Sequence, residues 1–308
     1  MQIAIIGAGI CGLYLARQLA ERGESVTVFE KKEKIGKEIC SGLFSARILN
    51  FIPECRDLVQ NQIDFTRINF PKRTLKVNFS QKFFLIRHEE LDRLAGNLAE
   101  KAGAKIVLNQ NISLLPEGFD RIIGCDGALS DTRRGLGLKD PEFFSGIQGF
   151  VAKSDFSNYV ETWATESGFI WRIPRGQETE WGIMEKPERA KLVFGDFLRK
   201  NNISLGQTRA WLIPQGLIMS ADSRIALVGD AAGLCKPWSG GGVIWGLTAC
   251  DLLLKNFPDF IKYREEARRF FLPKIILSKM AKKIIYFSGR NLPWLMPQSY
   301  TIEGDFLI

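Results

Sequence analysis

The 308-residue chain is long enough for two domains or one large composite body, and with 45% hydrophobic and 25% charged residues it is not a disordered chain. Its formal net charge of +8 suits several kinds of anionic partner, but no long Lys/Arg block, zinc-knuckle spacing or RNP-like aromatic pattern supports nucleic acid. A single histidine, His88, excludes a His-rich metal site, so no metal is expected, and makes a His-based triad hard to build.

Six cysteines (Cys11, Cys40, Cys55, Cys125, Cys235 and Cys250) form no CxxC pair, and the sequence starts directly in the strand-like MQIAIIGAG. They read as free thiols in a reducing, cytoplasmic compartment. No uncharged apolar stretch reaches membrane-spanning length.

In chain order, Gln2–Ile6 is a short apolar strand, LYLARQLAERG a helix closed by Gly23, and Ser25–Glu30 a second strand. This is a βαβ opening. Glu33–Ser45, with Gly36 and Gly42, reads as a loop. Phe65–Phe70 and Thr74–Phe79 read as strands paired around a Pro-containing turn. A short strand and a helix over Glu89–Lys101 follow, then strands at Lys105–Leu108, Ser113–Leu115 and Arg121–Cys125. Residues 146–213 alternate in short segments that suggest an antiparallel sheet. Glu188–Lys200 is helical, Arg224–Val228 a buried strand, Gly240–Leu254 a helix, and Ile261–Ser288 mostly helical with Pro273 as a break or kink.

Three glycine-containing junctions carry the chemistry. The first is GxGxxG at Gly7, Gly9 and Gly12, between a strand and a helix, with Cys11 inside it and Glu30 and Lys31 ending the second strand. Gly7 permits a tight turn, Gly9 lets the backbone approach a pyrophosphate, Gly12 allows close packing, and Glu30 can accept from a ribose. This alone does not separate NAD from FAD. The second is Gly124-Cys125-Asp126-Gly127, at the end of an apolar strand. The third runs from Gly229-Asp230 through Pro237 to Gly241-Gly242-Val243, where a carboxylate and a helix N-terminus could meet a polyol and a negatively charged ring.

The last two junctions resemble the DG and GD motifs of class A flavoprotein hydroxylases, and within that superfamily the chain resembles the geranylgeranyl reductase family. Three segments carry the narrower resemblance: ICSGLFS at Ile39–Ser45, FLIRHEELDRLA at Phe84–Ala95 and FIWRIP at Phe169–Pro174. In the third, Phe169 stands where the signature has Tyr and Ile173 where it has Phe; Trp171 and Pro174 match. The resemblance implies FAD as cofactor, with Asp126 and Gly127 near the pyrophosphate and ribose, and Asp230 on the ribityl chain. It places Gly241, Gly242 and Val243 at the flavin pyrimidine edge, and Cys40, Gly42 and Arg87 beside the flavin. It implies Trp171 and Pro174 in a substrate pocket. Taken by itself, Cys40 is a small loop residue and His88 a surface or packing residue.

The expected fold is α/β: a Rossmann-like FAD-binding domain of segments 1–60, 84–140 and 218–257, a substrate domain with a mixed or antiparallel sheet over 61–83 and 141–217, and a helical C-terminal segment, 258–308. The resemblance implies reduction of carbon–carbon double bonds in an isoprenoid or related lipid, with NAD(P)H or a reduced protein carrier as electron donor. A flavin monooxygenase of a small organic substrate shares the same motifs, and a non-catalytic flavin-binding protein is the third reading. Residues 270–297 mix bulky apolar side chains with Lys274, Lys279, Lys282, Lys283 and Arg290. They read either as a helix packed on the body or as an amphipathic face on the inner surface of a membrane.

Overall fold

The structure is a computed structural model that describes residues 1–36, 40–113 and 115–307. In chain order the elements are β1 (Gln2–Ile6), α1 (Ile10–Glu21), β2 (Ser25–Phe29), β3 (Leu43–Ser45), α2 (Ile48–Phe51), β4 (Asn61–Phe70), β5 (Arg73–Leu85), α3 (His88–Lys101), β6 (Lys105–Val107), β7 (Arg121–Gly124) and α4 (Asp131–Gly135). They continue as β8 (Glu142–Val151), β9 (Tyr159–Ala164), β10 (Phe169–Pro174), β11 (Thr179–Glu185), α5 (Pro187–Lys200), β12 (Arg209–Gln215), β13 (Ile225–Leu227), α6 (Val243–Asn256), α7 (Phe260–Asn291) and β14 (Ser299–Ile302).

A five-stranded sheet in the order β13-β7-β1-β2-β6 is parallel throughout. Its central strand carries Ile3, Ala4 and Ile5 with no exposed surface, as a strand covered on both faces requires. One core cluster joins β1 and β2 to α1, α3, α6 and α7. The strand order reverses around β1, with β2 on one side and β7 on the other. The crevice at the carboxyl ends of such strands is where this architecture receives ligands, and here it opens at Gly7.

The second sheet has nine strands in the order β12-β8-β11-β10-β9-β4-β5-β14, with β3 paired to β5. It is mixed: β4 and β9 run parallel, as do β5 and β14, and the other pairs are antiparallel. The α/β architecture with a Rossmann-like parallel sheet and a second mixed sheet is the one expected from the sequence.

Several local expectations are corrected. The short strand expected after Phe79 is the end of one long strand, β5. Leu43–Ser45, expected as loop, adds to that strand as β3. No strand forms at Ser113 or Leu115; Leu114 lies outside the described residues. The helix after Gly240 starts three residues later, at Val243, because Gly240 sits at φ 71°, outside helical space. Pro273 does not end α7, which runs through it with the ring exposed. The tail is not wholly helical: β14 returns to pair with β5, and Asp305 behind it is fully buried against Lys236 at 2.9 Å.

Candidate functional site

A cavity of about 1020 Å³ lies at the crevice, lined by Gly7, Ala8, Gly9, Glu30, Lys31, Asp126, Gly127 and Asp230, and closed from the other sheet by Trp211 and its neighbours on β12. The first βα turn is held by backbone. The Gly7 N–H donates to the Phe29 carbonyl at 2.8 Å, and the Cys125 N–H to the Ile6 carbonyl at 2.7 Å. Gly7 is at φ 105°, and a Cβ there would stand 2.4 Å from the Cys125 carbonyl oxygen, so only glycine fits. At Gly9 a Cβ would meet nothing within 4 Å, which leaves that stretch of backbone open.

The acidic residues of the cavity are partly engaged by the fold. Glu30 accepts from the Ala8 N–H at 2.8 Å and the Lys32 N–H at 3.0 Å, so it shapes the turn that it rims. Asp126 accepts from the Ser130 hydroxyl at 2.5 Å and from the Thr132 N–H and hydroxyl at 2.9 Å each, tying the DG turn to the start of α4. The Cys235 thiol donates to Asp230 at 3.3 Å.

The two longer helices that begin at glycine junctions are α1, behind Gly9, and α6, behind Gly242. Neither has a side-chain cap or an acidic residue in its first turn. Their N-terminal N–H groups are therefore left for an anionic ligand, which is what a dinucleotide pyrophosphate and an anionic ring would use. The open backbone at Gly9, these uncapped helix starts and the carboxylates at the rim fit a dinucleotide cofactor.

A second, smaller cavity of about 340 Å³ is lined by Cys40, Arg87, His88, Gln148, Arg175 and Arg209, among others. Arg209 also lines the larger cavity, so the two adjoin. His88, at the start of α3, is 7% exposed, with its Nε2 3.3 Å from Asp92 one turn on. Burial alone would lower its imidazole, but the charges of Asp92 and Cys40 outweigh burial and raise it from 6.5 to about 10. Asp92 itself lines the larger cavity, so the His88–Asp92 pair lies between the two.

On the far side of the smaller cavity, Arg175 (5% exposed) pairs with the fully buried Glu180, with Nε 3.0 Å from Oε2, and also donates to the Ser41 carbonyl oxygen. Burial pushes the Glu180 carboxyl up, although Arg175 and the Trp171 indole N–H both favour its anion. Arg87 is about half exposed and pairs with Glu178 at 3.1 Å.

The structure thus brings Gly7, Gly9, Glu30, Lys31, Asp126, Gly127 and Asp230 to one cavity, and Cys40 and Arg87 to the other. Cys11, Gly12, Gly42, Gly229, Gly241, Gly242 and Val243 line neither. Cys11 is a spacer instead: its Sγ lies where a Cβ on Gly229 or Gly246 would come within 2.9 and 2.6 Å. Gly42 accepts from the Ile86 N–H at 2.9 Å and so fixes the Cys40 loop to the segment that carries Arg87 and His88.

Two residues expected at the site lie away from both cavities. Trp171 and Pro174 are buried and line neither cavity. The Trp171 ring lies across Gly182 of the neighbouring strand, where a Cβ would be 2.2 Å away, and its Nε1 donates to Glu180 at 2.9 Å. The tryptophan that reaches the larger cavity is Trp211. His88, expected at the surface or in packing, is buried and meets the Phe44 ring edge-on at 5.7 Å, and it also lines the smaller cavity. Its i, i+4 spacing to Asp92 is a local signal in the sequence, whereas Cys40, 48 residues before it, carries none that links the two.

Comparison with known proteins places this geometry in a class. Residues 5–42 match the NAD(P)-binding Rossmann-like domain family. The fold is shared with flavin-dependent enzymes. A geranylgeranyl bacteriochlorophyll reductase-like protein of Thermoplasma acidophilum superposes with a TM-score of 0.80 at 21% identity, covering 92% of this chain and 86% of that one. A flavin-dependent halogenase of Xanthomonas campestris gives 0.77 at 14% identity, covering 94% and 78%.

Within that class the sequence is similar to reductases of the family that the motifs resemble. A digeranylgeranylglycerophospholipid reductase of Methanocella arvoryzae is 24% identical over 79% of this chain and 73% of its own length. A chloroplastic geranylgeranyl diphosphate reductase of Oryza sativa subsp. japonica is 23% identical over 94% and 76%.

Proposed function

We propose that the chain is an FAD-dependent oxidoreductase that reduces carbon–carbon double bonds of an isoprenoid lipid. The observation that carries this reading is a dinucleotide cavity adjoining a smaller one that holds a thiol and an imidazole. The relatives named as reductases of geranylgeranyl compounds support the substrate class.

In this reading the open backbone at Gly9 and the start of α1 take the pyrophosphate, and Glu30 and Lys31 the adenosine ribose. Asp126 and Asp230 bind polyol and ribose hydroxyls, and the α6 start at Gly242 faces the ring. Segments 1–60, 84–140 and 218–257 form the cofactor body, and 61–83 with 141–217 the part that covers it. Trp211 replaces Trp171 as the aromatic wall. When bound and reduced, the flavin supplies a hydride.

Saturating an alkene takes a hydride and a proton. Cys40 and His88 share one proton, since the anionic sulfur helps to hold the imidazolium: His88, held by Asp92, passes it to the sulfur, and the thiol so formed gives it to the second carbon. The side chains around Arg175 and Glu180 keep that wall of the cavity rigid. Electrons enter from NAD(P)H or a reduced protein carrier.

The test is anaerobic. Protein reduced with dithionite is given geranylgeranyl diphosphate or a digeranylgeranylglycerol phospholipid, and the products are weighed by mass spectrometry. Each reduced bond should add two hydrogens. Substrate-stimulated oxygen uptake with an oxygenated product would overturn the reading in favour of a monooxygenase. Bound FAD that no donor turns over would leave a flavin-binding protein without catalysis. Cys40→Ala should slow product formation about 100-fold with flavin reduction by dithionite unchanged, the size expected for loss of a positioned acid.

A further inference from the structure

The long helix α7 is held by one face only. Tyr263 donates to the Leu227 carbonyl at 3.1 Å, Tyr286 donates to the Gly168 carbonyl at 2.8 Å, and Phe271, Ile275 and Gly289 are buried. Gly289 lies against the Phe70 ring, where a Cβ would be 2.4 Å away. Lys282, on the inner side, donates to the Pro237 carbonyl at 3.3 Å and so ties α7 to the loop that leads into α6.

The opposite face is exposed and apolar. Leu277 (64%), Met280 (53%), Ile284 (61%) and Phe287 (60%) recur at spacings of three and four, so they form one stripe, with Ile276 at its edge. Trp294 (72%) and Leu295 (69%) follow directly after the helix end. Single exposed apolar residues are ordinary on a soluble surface; a continuous stripe of this kind is not.

Charge distinguishes this face further. From Ala267 to Ile302 the chain has seven Lys and Arg residues and no Asp or Glu. At 100° per residue, Lys283 and Arg290 fall along one edge of the stripe and Lys274 along the other. Another protein surface or a second copy of this chain would meet the apolar stripe, but neither explains cations along both edges without a single carboxylate.

We propose that this face of α7, extended by Trp294 and Leu295, is a docking surface for an anionic lipid bilayer. The apolar stripe enters the acyl boundary and the flanking cations meet the headgroup phosphates, as in helices that lie in a membrane interface. Among the described residues no helix is long and apolar enough to cross a membrane, so the contact is made by the surface of one. The surface stands independently of the reaction proposed above. It would give an enzyme of that kind access to substrate that never leaves the bilayer.

The experiment is co-sedimentation of the full chain with two sets of vesicles, phosphatidylcholine alone and phosphatidylcholine mixed about equally with phosphatidylglycerol, without substrate or turnover. Binding is expected to the anionic vesicles and to weaken with added salt. Lys283→Glu should reduce it roughly fivefold or more, the scale of one cation near such a surface. The double variant Ile284→Ser/Phe287→Ser should abolish it. All three positions are exposed, so melting temperature and flavin content should be unchanged and report that the variants are folded. Equal binding to neutral vesicles, or none at low salt, overturns the proposal. So does a concentration-dependent dimer that Ile284→Ser dissociates while vesicles go unbound. Loss of vesicle binding would leave reduction of dispersed geranylgeranyl diphosphate untouched, and failure of that reduction would leave vesicle binding untouched.

Discussion

The two cavities meet at Arg209 yet are built in opposite ways. The larger one is built around backbone: a turn at Gly7, strand ends, and Gly9 at the uncapped start of α1. The smaller is made of charged side chains from distant segments, with Arg175 on Glu180 and His88 on Asp92 beside Cys40. A cradle of N–H groups suits a ligand with fixed phosphates, because it needs no side chain to move. A cavity walled by ionisable groups suits a step in which protons move. The comparison predicts that the first is sensitive to what is added to the backbone, and the second to what is taken from a pair.

The largest effect should come from breaking the buried pair. Arg175→Met leaves Glu180 uncompensated at zero exposure, for a loss of about 4 kcal/mol in unfolding free energy. The double variant Arg175→Met/Glu180→Leu should recover most of it, since both charges are then gone. Denaturant titration of the single and double variants measures the difference. A single variant as stable as the parent would show that the smaller cavity is not held by this pair.

At the glycine turn, two neighbouring substitutions should separate. Gly7→Ala forces a Cβ against the Cys125 carbonyl at a positive φ and should cost about 3 kcal/mol together with bound flavin. Gly9→Ala meets nothing within 4 Å, so stability should change by less than about 0.5 kcal/mol while flavin affinity falls. Thermal melts and flavin release on dilution read the two quantities separately. Loss of stability at Gly9 would break the claim that this stretch of backbone is open to a ligand.

Much of the larger site was legible because its signals are local. Gly7, Gly9, Gly12 and Glu30 sit in one βαβ unit, and each glycine junction follows an apolar strand. The smaller cavity was legible only in part: the resemblance placed Cys40 and Arg87 together, but Arg175 and Arg209 come from distant segments that only the folded second sheet brings beside them. Trp171 and Trp211 show why burial resists reading from a motif. Both lie on strands of the same sheet, with ring centroids 6.4 Å apart. Each ring lies across a glycine of the neighbouring strand, Trp171 over Gly182 and Trp211 over Gly146, and neither glycine belongs to the signature around Trp171. The four mostly exposed residues of β14 carry no alternation of their own; pairing with β5 defines them as a strand.

The smallest effect is also the most specific to the thiol–imidazole–carboxylate group. His88 has a folded pKa of about 10 against 6.5 for the free imidazole. A group raised on folding binds its proton more tightly in the native state, so its stabilisation is complete below pH 6.5 and is lost as pH rises toward 10. Lys282 acts in the other direction. Burial lowers its ammonium from 10.5 to about 8 despite Glu185 and Glu142, so its contribution makes the fold more stable as pH climbs from 8 to 10.5. The interval from pH 6.5 to 8 therefore isolates the histidine. Unfolding free energy should fall across it in the parent and stay nearly level in His88→Gln, whereas Lys282→Met should keep the fall. If the parent shows no slope there, or if His88→Gln retains it, then the imidazole is not held protonated between Cys40 and Asp92, and the proton must reach the smaller cavity from another group.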